Sequence, residues 1–153
     1  ALDLEEALRP NLGLHITLAR EKGIELRNEI GKSAPVYGDL NLLQLVVRNI
    51  VSNAIKFTPS GGLITVSVIQ TDNKSRIIVS DSGIGINDHQ KENLFSLNIQ
   101  PTYGTGNEKG LGLGLVLCRE FISIQGGDIL FESEAGKGTT VYITLNNGQM
   151  LDQ

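Results

Sequence analysis

The stretch NEKGLGLGL, residues 107–115, decides how the rest of this chain is read. Gly110, Gly112 and Gly114 alternate with leucines, and an apolar helical pattern follows at once. Glycine in a helix interior costs about 0.5–1 kcal/mol relative to alanine, so three of them at a helix entrance call for a use. Glycines there leave the first N–H groups uncovered, and the helix start carries roughly half a positive charge, so a polyphosphate can approach directly. A merely flexible entry to a helix is the plain alternative. The two usual glycine-loop signatures do not fit. Leu115 stands where G-x-G-x-x-G needs its last glycine, and Gly31-Lys32-Ser33 mimics a P-loop ending but has Leu26 five residues earlier. The loop is expected to bind phosphate by another scheme.

Working outward, the helix that follows runs from about Leu111 to Ile124 and stops at Gly126-Gly127. DILFESE (128–134) and TTVYITL (139–145), joined by residues 135–138, read as a closing hairpin. Upstream, LITVSVIQ (63–70) and RIIVSD (76–81) flank a polar turn and read as another. Asp39 is a plausible N-cap for a helix through about Phe57, ended by Thr58-Pro59-Ser60-Gly61-Gly62. Residues 4–22 carry apolar positions 4, 8, 12, 16 and 19, a helical stripe weakened by Pro10 and Gly13, and IELRNEI (24–30) alternates like a strand. A short helix around 87–95 and a glycine-rich loop over 96–109 complete the pass. Helices mix with hairpins, so the fold class is α+β, a mixed or antiparallel sheet with helices on one face. No repeat or internal boundary divides residues 1–153, which read as one domain.

Composition narrows the function classes. The chain is 40% hydrophobic and 20% charged, as soluble globular domains are. A net charge of −4 argues against a nucleic-acid footprint, and no stretch has the length of a membrane span. One cysteine, Cys118, excludes an internal disulfide and points to a reducing, cytoplasmic setting. Beside Leu117 and Phe121 in mid-helix, it is expected to be buried and inert.

Two further patterns point to chemistry. Asn49, Asn53 and Lys56 are spaced i, i+4, i+7 and share a helix face, while Leu43, Val46, Val47, Ile50 and Ala54 form the core stripe. Asparagine is a poor interior helix former, so two aligned with a lysine suggest a polar face with a target rather than a simply solvated one. An amide oxygen suits Mg²⁺, which keeps waters and shares phosphate oxygens. In DSGIGI (81–86), the alternation of Ile77 and Val79 turns Asp81 inward at the strand end. A carboxylate there needs a donor. A purine amine would serve, with Gly83 and Gly85 letting backbone approach a flat base; an Asx turn leaving the strand is the alternative.

In this order the pieces closely resemble the catalytic ATP-binding domain of sensor histidine kinases. NIVSNAIKFT (49–58) is similar to their N-box, DSGIGI to the G1 box, KGLGLGL (109–115) to the G2 box, Phe95 to the F-box and GKGTT (136–140) to the last glycine motif. The resemblance spans about residues 2–146 and implies the GHKL (Bergerat) fold, a two-layer α/β sandwich shared with DNA gyrase and a class of heat-shock chaperones. It implies ATP and Mg²⁺ as cofactors. By position, Asn53 would coordinate Mg²⁺, Asn49 would contact phosphate or metal, and Lys56 would reach the phosphates, these three being the catalytic set. Phe57 would line the nucleotide, Asp81 would accept from the adenine amine, and Gly83, Gly85 and Ile86 would shape the base pocket. Lys109, Gly110, Leu111, Gly112, Leu113, Gly114 and Leu115 would cradle the phosphates, Thr139 would lie near the adenine, and residues 96–109 would be the ATP lid.

The departures from the family pattern are informative. Hydrolysing relatives carry a glutamate where this chain has Asn49, and an amide cannot serve as the general base for water. That favours phosphoryl transfer over hydrolysis. The second phenylalanine of the F-box is absent from LFSLNIQ (94–100). Neither His15, in the first helical stripe, nor His89, after Asp88, has the acidic residue, arginine and proline that follow the family's phosphoacceptor. The implied partners are a separate histidine-bearing dimerisation domain and a response-regulator receiver domain. A nucleotide-binding regulatory module, or a serine kinase of the anti-sigma type, are the alternatives on the same fold.

Overall fold

The structure is a computed structural model that describes residues 2–32, 35–71, 73–84 and 113–147, with the side chains of 113–116 excepted. Helix α1 (Leu4–Glu21) starts at Asp3, whose carboxylate accepts the Glu6 N–H. Its buried positions are Leu4, Leu8, Leu12, His15 and Ala19, the expected stripe with His15 in place of Ile16. Pro10 lies inside the helix without ending it. Strand β1 is short (Glu25–Asn28), and α2 (Leu40–Phe57) follows, N-capped by Asp39 through the Leu42 N–H at 3.0 Å. Strands β2 (Leu63–Gln70) and β3 (Lys74–Asp81) form the first hairpin, with β3 beginning two residues earlier than expected. Helix α3 (Leu113–Ile124) and the hairpin β4 (Asp128–Glu134) and β5 (Gly138–Asn146) complete the order.

The strands form one mixed sheet in the order β1-β2-β3-β5-β4. Only β1 and β2 are parallel, as the crossover through α2 requires; the other pairs are antiparallel. One sheet face buries Leu26, Ile64, Val66, Ile77, Val79, Ile129, Ile143 and Leu145 against the apolar faces of the three helices. The other keeps Thr65, Ile78 and Tyr142 half-exposed and leaves Ile69 and Leu130 exposed. This is a two-layer α+β sandwich, as expected from the alternation of elements. Among the described residues, no helix is long and apolar enough to cross a membrane.

Candidate functional site

The site is built around α2. Its core stripe of Leu43, Val46, Val47, Ile50, Val51 and Ala54 fixes the rotation of the helix, and that rotation leaves Asn49, Asn53 and Lys56 half-buried on one polar face. The C-terminal end of α2 is held by Lys22, whose ammonium donates to the Ile55 and Lys56 carbonyls at 2.8 and 3.0 Å. A cation on the last carbonyls of a helix is favourable both as a hydrogen bond and against the helix dipole. Sequence alone contains no signal for this contact, because Lys22 and Ile55 are far apart in the chain. The Lys56 ammonium sits 4.8 Å from the centre of the Phe57 ring, a cation–π distance.

Asp81 ends β3 beside this helix end. Its Oδ1 accepts the Gly83 N–H at 2.9 Å and the Thr139 N–H at 3.2 Å. Both bonds use one oxygen, and among the described residues Oδ2 is left for an external donor. Burial pushes the Asp81 carboxyl above its ordinary pKa, and the two backbone donors oppose that by favouring the charged form. The chain after Asp81 is pinned on both sides: Ile84 N–H donates to the Phe57 carbonyl at 3.1 Å, and the Ile84 carbonyl accepts from Gly136 N–H at 2.6 Å. A Cβ at Gly83 would stand 2.4 Å from the Phe57 carbonyl oxygen, so only glycine lets this crossing close. Gly138, at φ 95°, lies where a Cβ would stand 2.1 Å from the Asp81 carbonyl oxygen. Thr139 shares a 2.7 Å hydroxyl bond with Ser133.

Helix α3 closes the other side. Cys118 is fully buried, 3.7 Å from the Asn49 amide nitrogen. Gly114 lies one turn upstream of Cys118 on α3. Among the described residues α3 begins with Leu113, Gly114 and Leu115. Gly85, Ile86, Lys109, Gly110, Leu111 and Gly112 lie outside the described residues, as do Phe95, His89, the expected helix at 87–95 and the lid.

His15 is 2% exposed and spent in packing. Its Nδ1 stands 2.8 Å from the Asn11 carbonyl, which can only accept, so Nδ1 carries a proton; Nε2 lies 3.1 Å from the Ser52 hydroxyl. Among the described residues no cluster of three His, Cys, Asp or Glu forms a metal cage. The donor set of the α2 face is instead neutral amide oxygens, which fit a hard divalent cation that keeps waters and shares phosphate oxygens.

Comparison with known proteins agrees with this architecture. Residues 38–149 match the family described as "Histidine kinase-, DNA gyrase B-, and HSP90-like ATPase". The chain belongs to that family, whose fold implies ATP binding, typically with Mg²⁺. A histidine protein kinase of Caulobacter vibrioides, DivJ, is 36% identical over 144 residues, which is 94% of this chain and 24% of the relative. The chain therefore spans about a quarter of that relative's length. The nucleotide-free catalytic domain of the histidine kinase ThkA superposes with a TM-score of 0.82 at 28% identity, covering 95% of both chains. Full-length ShkA, solved in complex with AMPPNP, superposes at 0.79 and 25% identity over 97% of this chain and 31% of its own.

Proposed function

We propose that residues 1–153 are a single catalytic domain of a sensor histidine kinase. It binds Mg-ATP and passes the γ-phosphate to a histidine on a separate dimerisation domain, for relay to a receiver-domain aspartate. The observation that carries the reading is Asp81: one carboxylate oxygen takes two backbone N–H groups, and among the described residues the other takes none, which suits a ligand's donor. An adenine amine is such a donor, and Gly83 and Thr139 flank the place it would take.

The remaining roles follow from the face of α2 and the start of α3. Asn53 and Asn49 would hold the cation with amide oxygens, and Lys56 would give an N–H and a positive charge to the phosphates. The cation, when bound, neutralises the charge that develops on the transferring phosphoryl group. Leu113, Gly114 and Leu115 offer backbone N–H groups to the phosphates, together with Lys109 to Gly112, while Gly85 and Ile86 complete the base pocket. Phe57 lines the nucleotide. Asn49 brings no carboxylate to activate water, so the chain's residues position ATP for a nucleophile supplied by the partner domain. A cytoplasmic setting, where ATP is supplied, belongs to the same reading.

Labelled ATP and the histidine-bearing domain of a histidine kinase, supplied in trans, test the proposal. Acid-labile label on that domain is the expected result. Absence of label, with nucleotide bound, would leave a regulatory module; acid-stable label would indicate a serine kinase.

A further inference from the structure

Cys118 makes two contacts with α2: its sulfur is 3.9 Å from the Val46 carbonyl oxygen and 3.7 Å from the Asn49 amide nitrogen. The two contacts constrain each other. A carbonyl oxygen only accepts, so the thiol proton is directed at Val46. What sulfur then offers Asn49 is a lone pair, and only the NH₂ end of the carboxamide can use it. The two ends of a carboxamide diverge, so Oδ1 is turned off the sulfur.

From this geometry we propose that Cys118 is a positioning residue, locking the Asn49 carboxamide so that its oxygen, not its nitrogen, faces out of the α2–α3 seam. The inference rests on the function proposed above and sharpens it. An outward oxygen is an acceptor. It recognises a divalent cation or a water in that cation's shell, and it has no proton to give a phosphate oxygen. Asn49 thereby belongs to the metal side of the site, and the N–H donor of this α2 face toward phosphate is Lys56. A cysteine that only fills the core would impose no such choice.

Two variants separate the readings. C118V has a similar volume and no acceptor; C118S keeps an acceptor in a smaller side chain. With Mg²⁺ present, C118V is expected to weaken ATP binding about 3- to 10-fold, the scale of one hydrogen bond, and C118S to recover most of the loss. With EDTA in place of Mg²⁺, C118V and the parent should bind ATP alike. In the nucleotide-free chain, the side-chain NH₂ signals of Asn49, identified by their absence in N49D, should shift in C118V. All comparisons are made below the onset of melting of each variant. An equal loss with and without Mg²⁺, no loss in C118V, or a C118S no better than C118V would overturn the proposal. If the parent chain binds no nucleotide, the functional reading falls by itself, and the Asn49 signals decide: unshifted in C118V, they overturn the positioning role as well.

Discussion

Asp81 on β3 and Thr139 on β5 are register partners, and the Thr139 N–H donates to the Asp81 carboxylate at 3.2 Å. A side chain thus takes a main-chain donor where two strands end, and the same oxygen takes the Gly83 N–H. The arrangement holds the carboxyl group in one orientation with its second oxygen facing outward from these bonds.

Asp81→Asn keeps an oxygen for both backbone donors but replaces the outward oxygen with an NH₂ group. The variant should lose ATP affinity by about 1.5–3 kcal/mol, the range for a hydrogen bond to a charged group. A purine nucleotide lacking the 6-amino group should lose much less. Calorimetry on both ligands checks this; equal losses would mean that Asp81 only shapes a turn.

The same variant has a pH signature. Burial holds the Asp81 carboxyl above its ordinary value of 3.8 despite the two N–H bonds. The folded chain therefore binds this proton more tightly than the unfolded chain. Its stabilising contribution is present in full below the unfolded pKa and is lost as pH rises through the folded one. D81N lacks that loss. Without nucleotide, the melting temperature of D81N relative to the parent should rise between acid and neutral pH, and a constant difference would contradict the raised pKa.

Gly138→Ala should destabilise the fold by about 2 kcal/mol or more, from positive-φ strain and collision with backbone. Its φ is 95° and the clash is with the Asp81 carbonyl, which the sheet holds in place. Gly136→Ala also sits at positive φ, 83°, but its Cβ would meet nothing within 4 Å among the described residues. Urea unfolding of the two should therefore rank Gly138→Ala as the more damaging.

Asn53→Ala is expected to remove most of the magnesium dependence of ATP binding and to leave metal-free ADP binding nearly unchanged. The measurement is a magnesium titration of nucleotide affinity. A curve that overlays the parent's would make the polar face of α2 a solvated surface.

Asn49→Glu tests the choice of reaction. The parent chain should bind ATP and release phosphate very slowly. A general base contributes about 10²–10⁴-fold, so the glutamate should raise phosphate release without aiding transfer to histidine, where a neutral imidazole is already a nucleophile. Rapid multiple turnover by the parent, with no acceptor present, would make it an ATPase.

Much of this was legible in sequence because the signals are local. The apolar period of residues 43–54 implies both the helix and the rotation that leaves Asn49, Asn53 and Lys56 on another face, and α2 has that rotation. Alternation at 63–70 and 76–81 implies a hairpin with Asp81 at its end, and the register agrees. Pairings between distant segments are a different matter, since no period in either segment encodes its partner. Tertiary structure alone set β1 parallel to β2, brought Lys22 to the carbonyls at the end of α2, and drew Phe57, Ile84 and Gly136 into one backbone chain of hydrogen bonds. It also placed Cys118 against Asn49, 69 residues away. Buried and chemically quiet were the properties the sequence implied for that cysteine. Which end of an amide it holds depends on the packing of α3 on α2, where a thiol proton committed to one rung leaves a lone pair for the next.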